Sequence, residues 1–294
     1  MKSAIALGNF DGVHKAHAEV IKKACDAAHK NGAECVVYTF DTHPQNILCK
    51  DNIVKSLIQN DMKEEIILSL GADRVYFEKT TPEFLTLSPE AFISYITQKF
   101  SPVFVVAGYN YRFGCKGSGD TDSLRRLGEK YGFETLIADE VRIDSQEVSS
   151  SVIRKLLQCG DIRRANSLLT REYAIRGEVV HGKHLGKSLG FPTANVLFPA
   201  GALIPKRGVY KSRTQVGGKL YDSITNIGSN PTVEDAPTRA ETFISGIDSD
   251  IYGECITVSL TDRIRDEKRF ESIDALCAQI KKDAEFAFQG GAYE

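Results

Sequence analysis

The chain predicts two domains of different class, an α/β domain with a parallel sheet over residues 1–165 and an antiparallel β-barrel closed by a helix over residues 166–294. Three observations carry this. The length of 294 residues exceeds what one compact core usually occupies. Up to about residue 160 strand and helix signals alternate strictly, the pattern of a parallel sheet with helices on both faces. After Tyr173 the helix period vanishes, and short β-rich runs follow one another between Gly, Pro, Asn and Asp clusters.

In order, Ile5–Leu7 is an apolar strand that runs into a glycine turn, and a helix follows from about His17 to Asn31, ending at Gly32. Glu34–Phe40 is a continuous apolar strand, Lys63–Leu70 a helix closed by Gly71, and Arg74–Phe77 a short strand. Pro89–Phe100 is helical, Val103–Ala107 a strand, Ser123–Tyr131 a helix stopped by Gly132, and Glu134–Ala138 a strand. Helices over Ser150–Leu157 and Ile162–Leu169 close this Rossmann-like half. The second half predicts strands at Tyr173–His181, Gly208–Val216, Ser223–Ile227, Arg239–Ile244 and Cys255–Asp262, then one amphipathic helix from about Ser272 to Phe288.

Composition excludes several function classes. The formal net charge is −2 and neither half has a basic excess, which argues against a nucleic-acid partner. No apolar run approaches the roughly 18 residues that span a bilayer, and the apolar N-terminal stretch is too short for a signal peptide. Seven cysteines without a C-x-x-C pair predict free thiols in a reducing compartment. A cytoplasmic protein without membrane association is expected.

Two segments carry chemistry. The first, Gly8-Asn9-Phe10-Asp11-Gly12-Val13-His14-Lys15-Ala16-His17, lies between the first strand and the first helix. Glycines there admit close backbone approach, and the free N–H groups of a helix start suit phosphate. His14 and His17, three apart, can converge on the same oxygens. The segment resembles the G-x-F-D-G-x-H-x-G-H signature of prokaryotic bifunctional riboflavin kinase/FAD synthetases, within the nucleotidyltransferase superfamily. Three further segments resemble that family in order: Thr39-Phe40-Asp41-Thr42-His43-Pro44, Gly108-Tyr109-Asn110-Tyr111-Arg112-Phe113-Gly114, and Val148-Ser149-Ser150-Ser151-Val152-Ile153-Arg154. The resemblance implies an FMN adenylyltransferase in which His14 and His17 stabilise charge as the FMN phosphate attacks the α-phosphorus of ATP. It further implies that Gly8, Phe10, Asp11, Ser149, Ser150 and Arg154 bind ATP, and that Asn110 and Arg112 lie at the flavin nucleotide. Ala16 departs from the glycine of the signature and Thr42 from a proline. Adenylyl transfer is expected to persist, more slowly than a glycine at position 16 would allow.

The second segment, Gly182-Lys183-His184-Leu185-Gly186-Lys187-Ser188-Leu189-Gly190-Phe191-Pro192-Thr193-Ala194-Asn195, is a basic, glycine-spaced loop. A phosphate loop of the form G-x-x-x-x-G-K-[ST] is excluded, because its register would start at His181 and no parallel strand–helix unit follows. The stretch resembles the G-[FI]-P-T-A-N region of riboflavin kinases. Gly208-Val209-Tyr210, Asn226-Ile227-Gly228-Ser229-Asn230-Pro231-Thr232, Glu241 with Tyr252-Gly253, and Arg265-Asp266-Glu267-Lys268-Arg269-Phe270 continue the resemblance. It implies that Gly182, Lys183, Gly186, Gly190, Pro192, Thr193 and Asn195 bind ATP, that Thr193 and Asn195 hold Mg²⁺, that Asn226 and Arg265 face the flavin, and that Glu241 is the general base.

The expected activity is therefore bifunctional: riboflavin and ATP give FMN, and FMN and ATP give FAD. Small molecules are the expected partners of a monomer or weak homo-oligomer. Two alternatives stay open at this stage: a riboflavin kinase whose adenylyltransferase half is weak or inactive because of Ala16, and a flavin-sensing regulator without turnover.

Overall fold

The computed structural model describes residues 2–48, 53–182, 191–228, 238–247, 249–268 and 270–289. Its contacts divide the chain into two compact units, Met1–Val152 and Ile153–Glu294. The expected division at residue 165 lies inside a helix of the second unit, Ile162–Leu168.

The first unit is built on strands β1 (Ser3–Leu7), β2 (Glu34–Phe40), β3 (Arg74–Glu78), β4 (Pro102–Gly108) and β5 (Glu134–Ala138). They form one sheet of order β3-β2-β1-β4-β5, every pair parallel. Helices α1 (Lys15–Lys30), α2 (Pro44–Leu48), α3 (Asn60–Ser69), α4 (Pro82–Leu85), α5 (Pro89–Phe100) and α6 (Thr121–Tyr131) intervene. All five residues of β1 are buried, as a central strand covered on both faces requires. Ile5, Leu7, Val36, Tyr38, Ile93, Ile96, Val105 and Leu124 form the core with the aromatic rings of Phe92, Phe100 and Phe113. The strand order reverses at β1: β2 and β3 lie on one side and β4 and β5 on the other. In such sheets ligands bind beyond the carboxyl ends of the strands flanking that reversal. Here those ends lead into the loops after Leu7 and Gly108.

A two-stranded hairpin, β6 (Arg142–Ile143) and β7 (Gln146–Glu147), precedes α7 (Ser150–Cys159). The second unit continues with α8 (Ile162–Leu168) and strands β8 (Tyr173–Val180), β9 (Thr193–Leu197), β10 (Gly208–Val216), β11 (Lys219–Gly228), β12 (Arg239–Ile244) and β13 (Cys255–Arg265). These close a barrel in the order β10-β11-β12-β9-β8-β13. Its interior is mixed. Tyr210, Ile227, Ala240, Val258 and Leu260 are apolar, but Ser212, Thr214, Ser223, Thr225 and Thr242 point inward too. Their hydroxyls satisfy one another: Ser212 Oγ lies 2.8 Å from both Ser223 Oγ and Thr225 Oγ1, Thr214 Oγ1 lies 2.8 Å from Ser223 Oγ, and Thr225 Oγ1 lies 3.0 Å from Thr242 Oγ1. A buried hydroxyl is tolerated only when paired in this way. The last helix, α9 (Ile273–Gln289), packs on the outside of the barrel, where Ala287 joins Val209, Ile224 and Ile264.

The structure differs from the sequence expectation at several elements. Strand β9 was expected only as the end of a loop, because its Thr-Ala-Asn start carries no apolar alternation. Strand β11 starts at Lys219 rather than Ser223, since Gly217 and Gly218, both at positive φ, form a hairpin turn at once. Helices α2 and α4 are too short to show a period. No helix among the described residues is long and apolar enough to cross a membrane.

Candidate active sites

The loop after β1 is tied to β2. The Gly8 amide donates to Tyr38 O at 3.3 Å, and Thr39 Oγ1 donates to Asn9 O at 2.8 Å. A Cβ on Gly8 would stand 2.8 Å from the Phe10 ring, so only glycine fits. Phe10 and Val13 hold φ values of 49° and 42°, conformations that cost about 1–3 kcal/mol each and cluster where function demands them. Burial of both side chains offsets the strain.

This turn delivers the two histidines. His14 caps α1, its Nδ1 accepting from the His17 amide at 3.2 Å, which leaves the ring proton of neutral His14 on Nε2. The two imidazoles stack with centroids 3.5 Å apart, and the edge of Phe10 meets His17 at 5.2 Å. Burial holds the His17 pKa well below the usual imidazole range, with His14 and Lys63 adding to the effect. Its Nδ1 is buried and has no hydrogen-bond partner. The ring thus stands neutral and stacked at the start of α1, with one enclosed nitrogen unpartnered.

Asp11 ties the surrounding pieces together. Its Oδ1 accepts from Leu57 N at 2.9 Å and Ser56 Oγ at 3.3 Å, and its carbonyl accepts from Ser150 Oγ at 2.9 Å. Ser149 sits beside Ser150 at the start of α7, where Oγ accepts from Val152 N at 3.5 Å. Arg154 is half-buried one turn along α7, on the barrel side of the contact division. On the loop after β4, Asn110 and Arg112 are exposed, Arg112 lying 3.6 Å from Asp120. The structure thus gathers Gly8, Phe10, Asp11, His14, His17 and Ser150, and leaves Asn110 and Arg112 on the exposed loop after β4.

The second constellation lies on the outside of the barrel wall. Along β12 the side chains of Ala240, Thr242 and Ile244 point inward and are buried, so Glu241 and Phe243 face outward. In the ladder Glu241 stands opposite Asn195 of β9 and Asn226 of β11. Directly opposed residues share a face, so Asn195, Glu241 and Asn226 form one row across three strands. Thr193, two residues before Asn195, is opposite Phe243 on the same face. Gly182 packs against this row, since a Cβ there would stand 2.5 Å from Asn195 Nδ2. Pro192 is exposed just before β9. Lys183, Gly186 and Gly190 lie outside the described residues, as do positions 229–232 and 269.

Arg265 has a partner within the protein. Asp283 of α9 takes its guanidinium in a two-point grip, with Nη2 to Oδ2 at 2.7 Å and Nε to Oδ1 at 3.1 Å, and both side chains are buried. The pair fastens α9 to the end of β13. Two features escaped the sequence reading. The Glu267 carboxylate packs so tightly on Gly228, beside Asn226, that any Cβ at 228 would collide with it. Phe191, Phe243 and Phe288 line up with centroids 5.4 and 6.3 Å apart, an apolar ledge on the side of the row. Strand alternation from Glu241 would have found Phe243; nothing local points to the other contacts.

Residues 1–152 match the FAD synthetase family and residues 169–289 the riboflavin kinase family. A bifunctional riboflavin kinase/FMN adenylyltransferase of Listeria monocytogenes is 36% identical, covering 96% of this chain and 90% of its own length. Its Bacillus subtilis namesake is 35% identical over 98% and 92%, and that of Escherichia coli K12 33% over 95% and 90%. The chain belongs to the bifunctional riboflavin kinase/FMN adenylyltransferase family. A crystal structure described as a macrolide-efflux protein from Streptococcus pneumoniae superposes with a TM-score of 0.90 at 29% identity, covering 99% of this chain and 95% of that one.

Of the two departures from the motifs of the riboflavin kinase/FMN adenylyltransferase family, Ala16 and Thr42, the one beside the histidines is Ala16. It lies in α1, half-buried, and its φ is not positive. Glycine is therefore not needed there for backbone conformation, and an added methyl is its only cost. Ala16→Gly should raise FAD formation by no more than about threefold and leave FMN formation unchanged. The helix should lose roughly 0.5–1 kcal/mol, because glycine is the poorer helix former. A gain of tenfold or more in FAD formation, measured chromatographically, would show that the methyl obstructs the site.

Proposed function

We propose that the barrel unit phosphorylates riboflavin with ATP to give FMN and ADP, and that the parallel-sheet unit joins FMN to ATP, giving FAD and pyrophosphate. What supports the reading is that Gly8, Phe10, Asp11, His14, His17 and Ser150 lie together in the segment matched by the FAD synthetase family, and that Asn195, Glu241 and Asn226 share one row in the segment matched by the riboflavin kinase family.

In the adenylyl transfer an FMN phosphate oxygen bonds to the α-phosphorus of ATP, the bond to the bridging oxygen of the β-phosphate breaks, and pyrophosphate leaves. No covalent catalyst is required, only placement and charge neutralisation. His14 and His17 are the hydrogen-bonding pair for those phosphate oxygens, with Gly8, Phe10 and Asp11 shaping the loop and Ser149, Ser150 and Arg154 holding the outer phosphates. Asn110 and Arg112 receive the flavin nucleotide.

In the kinase reaction the riboflavin 5′-hydroxyl oxygen bonds to the γ-phosphorus of ATP, the bond to the β–γ bridging oxygen breaks, ADP leaves, and the hydroxyl proton passes to the Glu241 carboxylate. Asn195 and Asn226 flank that carboxylate and orient it. Asn226 and Arg265 are assigned to the flavin side, Arg265 by anchoring α9, and Gly182, Lys183, Gly186, Gly190 and Pro192 to the nucleotide. Thr193 and Asn195 offer a hydroxyl and an amide oxygen, the hard neutral donors that suit Mg²⁺, which takes its remaining ligands from phosphate and water. When bound, the ion would neutralise phosphate charge. Neither half has a basic excess to hold nucleic acid, and the chain is proposed to work on small molecules in the cytoplasm as a monomer or weak homo-oligomer.

Incubation with riboflavin, Mg²⁺ and ATP, followed by chromatographic separation, tests the whole reading. FMN and FAD are both expected. FMN alone would remove the adenylyltransferase half, and neither product would remove both.

The functional division is placed in the stretch 160–172, with α8 counted on the kinase side. Ile162, Ala165 and Leu168 of α8 are buried, and Asn166 bridges Leu260 O at 2.8 Å and Tyr173 N at 2.8 Å. A fragment starting at Gly160 should fold and phosphorylate riboflavin unaided. A fragment starting at Thr170 should lose several kcal/mol of stability, at about 1.5–3 kcal/mol per buried aliphatic side chain removed. Equal thermal midpoints for the two fragments would contradict the assignment of α8.

A further inference from the structure

Lys63 belongs to neither motif, yet it is one of the few charged side chains buried in the first unit. It sits on the apolar stripe of α3, between Met62 and Ile67. Its ammonium donates to Phe40 O at 3.1 Å and more weakly to Thr39 Oγ1 at 3.4 Å, and lies 5.1 Å from the Phe77 ring. These contacts fix it at the carboxyl ends of β2 and β3. Thr39 Oγ1 in turn holds Asn9 of the histidine loop. Among the described residues no carboxylate lies within ion-pair distance of it.

Burying an ammonium without a paired anion is costly, and proteins avoid it unless the anion arrives from outside. Two of its protons are held by neutral oxygens, and its charge has no ion-pair partner among the described residues. We infer that Lys63 is a further substrate-binding cation of the adenylyl-transfer site, taking up the charge of a phosphate group beside His14 and His17. The inference rests on the adenylyltransferase reading of this unit. The chemistry it recognises is a phosphate oxygen, and both ATP and FMN carry one.

Two carboxylates act on the ammonium from beyond ion-pair distance. Asp11 on the loop after β1 and Asp41 after β2 favour the charged form, burial opposes it more strongly, and the pKa falls to about 8. Lys63 in turn disfavours protonation of His17, as does His14. Sign follows directly: below about pH 8 the ammonium is charged and able to take phosphate, and above it the charge is lost.

The test compares Lys63→Met and Lys63→Arg with the wild-type full chain, using FAD formation from supplied FMN and ATP, riboflavin phosphorylation as the internal control, and thermal unfolding without ligand. Lys63→Met should cost about 10²-fold in kcat/KM for FAD formation, the scale of a lost charge-stabilising donor. Its thermal midpoint should hold or rise, because an unpaired buried charge has been removed. Kinase turnover should be unchanged. The substrate whose KM rises, ATP or FMN, identifies the phosphate. Lys63→Arg, which stays charged, should retain more activity than Lys63→Met and lose the fall in rate that the wild type shows above pH 8. Lys63→Met within threefold of wild type would overturn the inference. So would an activity loss that comes with a lowered midpoint, since that marks a structural lysine. Failure of the wild type itself to form FAD would instead sink the adenylyltransferase reading.

Discussion

Glu241→Gln is expected to lower riboflavin phosphorylation by roughly 10²–10⁴-fold, the range for loss of a positioned general base. The substitution keeps the side chain's shape and its place between Asn195 and Asn226 in the ladder. Only the capacity to accept the 5′-hydroxyl proton disappears. Riboflavin binding, followed by quenching of flavin fluorescence, should therefore stay within a few fold of wild type. FAD formation from supplied FMN should be untouched, because it belongs to the other unit. Kinase turnover near the wild-type value would show that the proton leaves by another route.

His17→Ala should reduce FAD formation from FMN by about 10²–10³-fold, the scale of removing a preorganised donor at developing phosphate charge. The variant loses the ring stacked at 3.5 Å on His14 and the edge contact with Phe10, so the turn carrying both residues also loosens. His17→Gln separates the two effects, keeping a hydrogen-bonding group without the ring. The pH profile offers an independent reading. Because the pKa of His17 lies well below the ordinary imidazole range, the ring stays neutral through neutral pH and protonates only far on the acid side. Wild-type FAD formation should thus show no acidic limb near pH 6.5. An acidic limb at that position, absent from His17→Gln, would mean that the ring is charged in the working enzyme.

Both folds were legible in the sequence for the reasons that usually make folds legible. In the first half, buried parallel strands such as β1 and β2 are continuous apolar runs, and helices α1, α3 and α6 run out at glycines. In the second, strand alternation and turn residues mark β10, β12 and β13. What escaped was β9, whose five residues hold a motif rather than a pattern, and helices of four or five residues. The sites were legible only as motifs. Sequence could propose that Asn195, Glu241 and Asn226 act together, but 46 residues separate Asn195 from Glu241, and ladder register alone decides that they share a row. Arg265 shows the converse: its sequence context suggests a ligand contact, while Asp283, 18 residues on, holds its guanidinium. Lys63 entered the sequence reading only as the first residue of an expected helix, and its charge acquires meaning once its burial and its neighbours are known.

The hydroxyl-lined interior of the barrel has a thermodynamic consequence. Exposure of apolar surface raises the heat capacity of a protein on unfolding and exposure of polar surface lowers it, by about +0.45 and −0.26 cal/K/mol per Å². The five side chains Ser212, Thr214, Ser223, Thr225 and Thr242 bring hydroxyls into the barrel's own core. Each takes a little from the heat-capacity change that a methyl group in its place would give, so the barrel's stability curve is slightly flatter than that of the same barrel with valines at those five positions.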